Sequence, residues 1–179
     1  MDRQLTRIIP VDLQPFCIVE SEEFKKLLNT ANPNYQIPSR HFIRNSMLPR
    51  LYRELKSYVN SRIPPNNIAL TMDLWTNIAN QGFLTVTAHF VSNFQLQTFT
   101  LGTVDMPMEH TGSVISHALG QIIGNWNISP SSIPCITTDN GSNVVAAVKK
   151  HGNYGHLPCM AHSLQLVIRH TLQENETIV

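Results

Sequence analysis

The chain has 179 residues and a formal net charge of +1, with 42% hydrophobic and 14% charged residues. At about 100 to 200 residues per domain, this length fits one domain, or one domain with a short appendage, and excludes a second full catalytic domain. The apolar content excludes a disordered or collagen-like chain. Residues 74–104 carry no charge, but Thr, Asn, Gln and Ser interrupt them too often for a membrane span. We therefore expect a soluble chain without a membrane partner.

The cysteines and the amino terminus indicate the compartment. Cys17, Cys135 and Cys159 are an odd number at wide spacing, which favours a reducing intracellular compartment over a disulfide framework. The first seven residues open no apolar run of the length that a secretory signal needs. The sequence therefore predicts an intracellular protein.

The charges are unevenly distributed along the chain. Residues 1–62 contain ten Lys or Arg and six acidic residues, whereas residues 63–148 contain no Lys or Arg and four acidic residues. A duplex-binding surface needs clustered cations, so the first third is the expected nucleic-acid contact. The alternative is that these cations form the solvated face of a helix. The residues concerned are Arg40, Arg44, Arg50, Arg53 and Lys56.

The first third of the chain has the pattern of a small helical region. Apolar residues at helical spacing predict a short helix between Ser21 and Pro33. Ser39 is expected to cap a second helix, which Pro64 ends and Pro49 kinks.

Beyond the two prolines the period changes from helical to extended. Residues 68–73, 83–91 and 96–104 predict three strands, and the turn at Asn93 is short enough for a hairpin between the second and the third. We expect an antiparallel meander.

A helix, a strand and a second helix are predicted after the meander. Thr111 can cap a helix with an apolar stripe that reaches Trp126. A short strand at 133–139 ends in a turn, and a helix is expected within 142–149. The predicted order is βββαβα, an α/β mixed sheet, which divides the chain into a helical region at 1–65 and a core at 66–179.

The topology predicts a carboxylate pair at one edge of this sheet. A right-handed crossover can place the fourth strand beside the first and parallel to it, and neighbouring strands lie about 4.8 Å apart. Asp73 and Asp139, at the ends of these strands, would then share a site that can hold a hard cation such as Mg²⁺. Alternatively, Asp139 with the following Asn140 and Gly141 is only a turn.

Three motifs stand in order along this core, namely TMDLWT at 71–76, TDNGSN at 138–143 and PCMAHSLQL at 158–166. Together they resemble the hAT superfamily of DNA transposases, and within it the transposase-derived zinc finger BED domain-containing proteins. DLQPF at 12–16 and NYQIPSR at 34–40 are similar to the upstream signature of those proteins.

The resemblance implies an RNase H-like catalytic core in which two Asp and one Glu bind Mg²⁺ for DNA cleavage and strand transfer. Asp73 and Asp139 match the two Asp positions, so Mg²⁺ is the expected cofactor. The Glu of the family comes from a helix beyond a long insertion, and no residue up to Val179 matches it. Asp105 and Glu109 are poor substitutes, because the second strand would separate them from the first by about 9 to 10 Å.

Further residues match the family motifs, namely Trp75, Asn140, Asn143, Cys159 and His162. In the family, the Cys-x2-His pair lies close to the catalytic centre; the alternative is a buried Cys and a hydrogen-bonded His. Trp75 is either an aromatic contact for a base or a packing residue.

Zinc is a weaker alternative. His151, His156, Cys159 and His162 are ligand types that zinc prefers. A structural zinc usually takes two ligand pairs, whereas these residues contain one pair, Cys159 and His162, beside two loosely spaced histidines. Zinc is therefore not expected.

We therefore expect a truncated, transposase-derived protein that is nuclear, DNA-associated or transcription-regulatory, and catalytically inactive on its own. The alternative is the catalytic segment of an active DNA transposase. A pure DNA-binding module is disfavoured by the absence of Lys and Arg at 63–148. A sheet that lacks its last strand would expose Ile133, Ile136 and 144–148 beside the fourth strand, which predicts self-association or a protein partner.

Overall fold

The structure of the protein is a computed structural model that describes residues 1–106 and 110–175. The chain divides into two compact units, Met1–Arg62 and Ile63–Val179. None of the helices in the described ranges is long and apolar enough to cross a membrane.

The first unit is helical and has a small core of its own. It contains α1 (Asp2–Val11), a 3₁₀ turn (Phe16–Glu20), α2 (Glu22–Ala31), α3 (Arg40–Phe42), a π-helical turn (Ile43–Met47) and α4 (Leu48–Asn60). The sequence reading missed α1. The buried residues of the core are Leu5, Ile9, Val19 and Ile43. The upstream motifs lie around this core and support it, since Phe16 and Ile37 pack against it.

The helical segment that runs from α3 to α4 contains a π-helical turn shortly before Pro49. Ser39 caps it as predicted, because its side chain accepts a hydrogen bond from the amide of Phe42 at 3.2 Å. Proline lacks an amide hydrogen, and its ring clashes with the carbonyl one turn earlier in a regular α-helix. The π-helical turn ends two residues before Pro49, close to the predicted kink, and makes the helix wider there.

The second unit is a five-stranded mixed sheet with helices. The strands are β1 (Ala69–Thr76), β2 (Gly82–Ser92), β3 (Gln95–Met106), β4 (Cys135–Thr138) and β5 (Gly155–Pro158), and the helices are α5 (Gly112–Asn125), α6 (Ser142–His151) and α7 (Met160–Asn175). The sheet order is β3-β2-β1-β4-β5. The first three strands form the predicted antiparallel meander, and β4 runs parallel to β1. This α/β topology confirms the predicted RNase H-like fold.

The two faces of the sheet differ in polarity, as the alternation in β2 predicted. Leu84, Val86, Ala88 and Phe90 are buried on one face, which α5 contacts. Threonine and histidine side chains alternate with them and are half-exposed on the other face. The sheet therefore has an apolar face under α5 and a threonine-rich face.

The prediction that β4 has no neighbouring strand on its outer side is wrong. A fifth strand, β5, pairs parallel with β4 over the whole of β4. The predicted order βββαβα contains no strand here, because β5 has only four residues, including a glycine and a proline. Ile133, Ile136, Val144 and Val148, which were expected to be exposed, are 4%, 0%, 3% and 0% exposed.

Small side chains on α5 allow α6 to approach closely. Gly112, Ser116 and Gly120 recur every four residues, so they lie on one face of α5. A Cβ atom on Gly112 would lie 3.2 Å from Cβ of Ala146, and one on Gly120 would lie 2.8 Å from Nε2 of His151. The spacing of the two helices therefore depends on these glycines.

We predict that Gly120→Ala lowers the stability of the protein relative to Gly124→Ala. Both changes favour a helix by up to about 1 kcal/mol, but only the first forces the His151 ring to move, since no atom lies within 4 Å of a Cβ on Gly124. Urea unfolding of both variants measures the difference. A Gly120→Ala protein as stable as Gly124→Ala would contradict the close approach of α5 and α6.

Candidate metal-binding site

The register of β1 and β4 places the two predicted carboxylates side by side. Leu70 pairs with Ile136 and Thr71 with Thr137 in parallel orientation. Continuing this register by two residues places Asp73 beside Asp139, which directly follows β4. Paired residues of neighbouring strands point to the same face of a sheet, so both belong to the threonine-rich face. The predicted adjacency of the first and fourth strands is confirmed; a metal at this position stays a prediction.

Asp139 is held in an ordered turn at the start of α6. Its Oδ1 accepts a hydrogen bond from the amide of Gly141 at 3.1 Å, and Asn140 has a left-handed backbone with φ of 73°. The turn that the sequence suggested is therefore present. A carboxylate has two oxygens and the turn engages one, so it leaves a ligand role available. Asp139 is half-buried and Asp73 is exposed.

Thr138 is a buried hydrogen-bonding residue that the sequence reading missed. It is 2% exposed, its Oγ1 lies 2.8 Å from Nε2 of His156, and the same oxygen accepts the amide of Asn140 at 3.3 Å. These contacts join the end of β4 to β5 and to the Asp139 turn. A threonine two residues before a turn amide is a recognisable sequence signal for such a contact.

The Cys-x2-His pair begins next to this turn. The amide of Cys159 donates to the carbonyl oxygen of Thr138 at 2.7 Å, and α7 starts at the following residue. The amide and the hydroxyl of Ser163 both donate to the carbonyl of Cys159, each at 3.0 Å. Cys159 and His162 are half-buried. Cys159 is therefore bonded to the residue that precedes Asp139, and a role of the Cys-x2-His pair near a catalytic centre stays a prediction.

Trp75 is fixed in place on the same face as Asp73. Its indole nitrogen donates to Oγ1 of Thr85 at 3.0 Å, and its ring stacks on Phe83 with the ring centroids 4.7 Å apart. The side chain is nonetheless 41% exposed. One edge of Trp75 is therefore packed and another faces solvent, so both of its predicted roles remain open.

The four residues considered for zinc are dispersed over separate contacts. His156 bonds to Thr138, and Nδ1 of His151 lies 2.9 Å from the hydroxyl of Tyr154. Burial lowers the pKa of His151 and raises the pKa of Tyr154. Within residues 1–106 and 110–175, no group of three or more His, Cys, Asp or Glu side chains is placed to hold a metal ion.

The remaining predicted residues are not shown to contact the carboxylate pair. Asp105 pairs with Phe83 in the register of β2 and β3, so it stands two strands from β1. Glu109 lies outside the described residues. Asn143 is exposed in the first turn of α6.

The predicted nucleic-acid contacts all lie in the first unit, on the course from α3 to α4. Arg40, Arg44, Arg50 and Arg53 are exposed, and Lys56 is half-buried. Two of them form ion pairs within the unit: Arg40 with Glu20 at 3.3 Å and Arg50 with Glu54 at 3.1 Å. These pairs reduce the positive charge that the surface presents, and a role in nucleic-acid contact stays a prediction.

The second unit has the predicted RNase H-like sheet order, but Asp73 lies within β1, which continues to Thr76, and not at the end of the strand as predicted; Asp139 directly follows β4. Residues 71–153 match the family model of the ZBED1 RNase-like domain. The chain is thus similar to the hAT transposases and the zinc finger BED domain-containing proteins, which confirms the resemblance that its motifs predicted.

Three relatives illustrate the range of this group. Human zinc finger BED domain-containing protein 6 is 28% identical over 195 residues, which cover 99% of this chain and 20% of that protein. The Zea mays protein named "Putative AC transposase" is 28% identical over 172 residues, 87% of this chain and 21% of that one. The Talaromyces stipitatus protein named "Putative transcriptional regulator tpeD" is 28% identical over 192 residues, 98% of this chain and 22% of that one. The chain spans about a fifth of the length of these curated relatives.

We predict that Thr138→Val lowers the free energy of unfolding by about 1 to 3 kcal/mol, because it leaves the Asn140 amide and the His156 ring without their partner. Thr137→Val is the matched control, since Thr137 is half-exposed on the opposite face of the same strand. Equal urea stabilities of the two variants would show that the Thr138 contacts do not support the turn.

Proposed function

We propose that this chain is a metal-binding, DNA-associated segment of a nuclear, transposase-derived protein, and that it does not cleave or join DNA by itself. In this proposal Asp73 and Asp139 bind Mg²⁺. A transcription-regulatory role is part of the proposal.

The strand register is the observation that carries the metal site. Continued beyond its last printed pair, the register supports a position for Asp73, within β1, beside Asp139, which directly follows β4. Carboxylate oxygens are the ligands that Mg²⁺ prefers, and Mg²⁺ usually keeps several waters beside one or two carboxylates and a substrate phosphate. The exposure of Asp73 is consistent with this hydrated mode of binding, because water can reach the pair. A bound cation would neutralise charge on a phosphate group.

We expect no cleavage because Asp105, the next described carboxylate on the threonine-rich face, lies too far from Asp73. Asp105 stands two strands and two residues from Asp73 in the register, which is about 11 to 12 Å between their Cα atoms. A single ion cannot span that distance with ligands at about 2.1 Å. In this proposal the described residues supply two ligands rather than the three carboxylates of the family, and two ligands favour binding over strand transfer.

Association with DNA in the nucleus rests on relatives and on charge. The names of the relatives describe a transposase and a transcriptional regulator. The exposed arginines of the first unit, Arg44 and Arg53 in particular, can contact phosphates. The second unit has no Lys or Arg before Lys149, so we assign the phosphate contacts to the first.

The metal site is tested by titrating the protein with Mn²⁺, followed by electron paramagnetic resonance of the free ion. We predict that Asp73→Asn and Asp139→Asn each weaken binding by at least about tenfold, since each removes one of two charged ligands. Asp105→Asn is the matched control: it removes the same charge from the same face, two strands away, and we expect affinity to remain within about twofold. Equal losses in all three variants would indicate a general charge effect and would refute the shared site.

Cleavage is tested by incubating the purified chain with duplex DNA that carries terminal inverted repeats, in Mg²⁺ or Mn²⁺. We predict intact DNA, and binding that weakens as salt is raised because phosphate contacts release counterions. Arg44→Ala with Arg53→Ala should reduce that salt dependence by about two contacts. Nicking that disappears in Asp73→Asn would overturn the proposal and establish the alternative, an active catalytic segment.

A further inference from the structure

The two edges of the sheet differ in length and in composition. The edge strand β5 has four residues, one of which is Pro158, and proline offers no amide hydrogen for pairing. The opposite edge strand, β3, has twelve residues, and β2 is its only neighbour in the described sheet. Unpaired backbone groups along a long edge strand are a template for pairing with another chain. The β3 edge is therefore the surface at which the sheet can be extended.

A bulge divides β3 and leaves one regular segment. The register between β2 and β3 shifts at Val86 and Thr87, which leaves Leu101 without a partner on β2. The indole nitrogen of Trp126 donates to the carbonyl of Leu101, so the bulge is also capped from the end of α5. The six residues 95–100 lie before the bulge in regular antiparallel register. We call this segment the open edge.

From its charge and its exposed side chains, we infer that the open edge pairs antiparallel with the open edge of a second copy, which joins two sheets into one. In such a pair a two-fold axis stands normal to the sheet, so a charge at the centre of the edge, or like charges at two positions that pair across the axis, would repel each other. Residues 95–104 contain no charged side chain, which removes this penalty. A charge-free edge therefore suits self-pairing, whereas it offers no charge to a partner that would bind through opposite charge.

Exposed apolar side chains lie beside the open edge. Val91 and Leu96 pair across the hairpin and are each 69% exposed. Phe94 in the hairpin turn has a left-handed backbone, with φ of 59°, and its side chain is fully exposed. A pair centred on Thr98 places Leu96 of one copy opposite Thr100 of the other, which covers part of this apolar surface. The short β5 edge leaves no second site of comparable length, so the assembly closes as a dimer.

The full 179-residue chain tests this inference by sedimentation velocity from about 1 to 100 µM. We predict a reversible monomer–dimer equilibrium. The double variant Leu96→Lys/Thr100→Lys should raise the dissociation constant at least about tenfold, because each lysine faces a lysine of the second copy. The double variant Leu96→Glu/Thr100→Glu should behave alike, and mixing the two variants should restore a dimer.

Leu157→Lys is the matched control, since Leu157 is a 51% exposed apolar residue on the opposite edge strand, and its dimer should be as tight as that of the wild type. Circular dichroism checks that each variant folds. If a double variant does not fold, hydrogen exchange of the wild type decides: the amides of 95–100 should become more protected as concentration rises. A wild-type monomer at all concentrations, an unchanged dimer in the lysine variant, open-ended aggregates, or protection independent of concentration would each overturn the inference.

Discussion

The parallel pairing of β1 with β4 is the constraint on which the rest of the second unit depends. It requires the chain to leave β3, cross one face of the sheet through α5 and return in the same direction as β1. The glycines of α5 then allow α6 to pack against the crossover helix. The same pairing places Asp73 and Asp139 next to each other on neighbouring strands. The fold and the candidate site therefore have a common cause.

At the end of β4, a residue that stabilises the fold is directly followed by a residue of the candidate site. Thr138 is buried and bonded to β5 and to the turn, its carbonyl accepts the amide that precedes α7, and the next residue is Asp139. A carboxylate that follows a fully buried strand residue has a fixed backbone, which limits the positions that its oxygens can reach. Asp73, by contrast, lies exposed within a continuous strand. The turn after β4 therefore fixes the backbone of Asp139, and the sheet fixes that of Asp73.

Much of this arrangement could be predicted from sequence, because the signals are local or follow a general rule. The caps at Ser39 and Thr111 are single residues with a known preference, and both accept the expected amide. The handedness of crossovers allowed β4 to lie beside β1 and parallel to it, and the structure has this pairing. The strand β5 was missed because four residues with a glycine and a proline have no visible period, and its pairing depends on β4. The contacts of Thr138 are tertiary, so only the structure reveals their burial. The identity of a bound ion depends on side-chain chemistry that neither the period nor the register specifies.

The central claim is that Asp73 and Asp139, which lie side by side on the adjacent strands β1 and β4, form one cation site. Nuclear magnetic resonance of the labelled protein with substoichiometric Mn²⁺ tests this most directly, because the paramagnetic ion broadens nearby amide signals. The account predicts that the amides of Leu74, Asn140 and Gly141 broaden first and together, and that the amide of Asp105 broadens less at the same Mn²⁺ concentration. Broadening that centres on Asp105, or that spreads evenly over all exposed carboxylates, would contradict it.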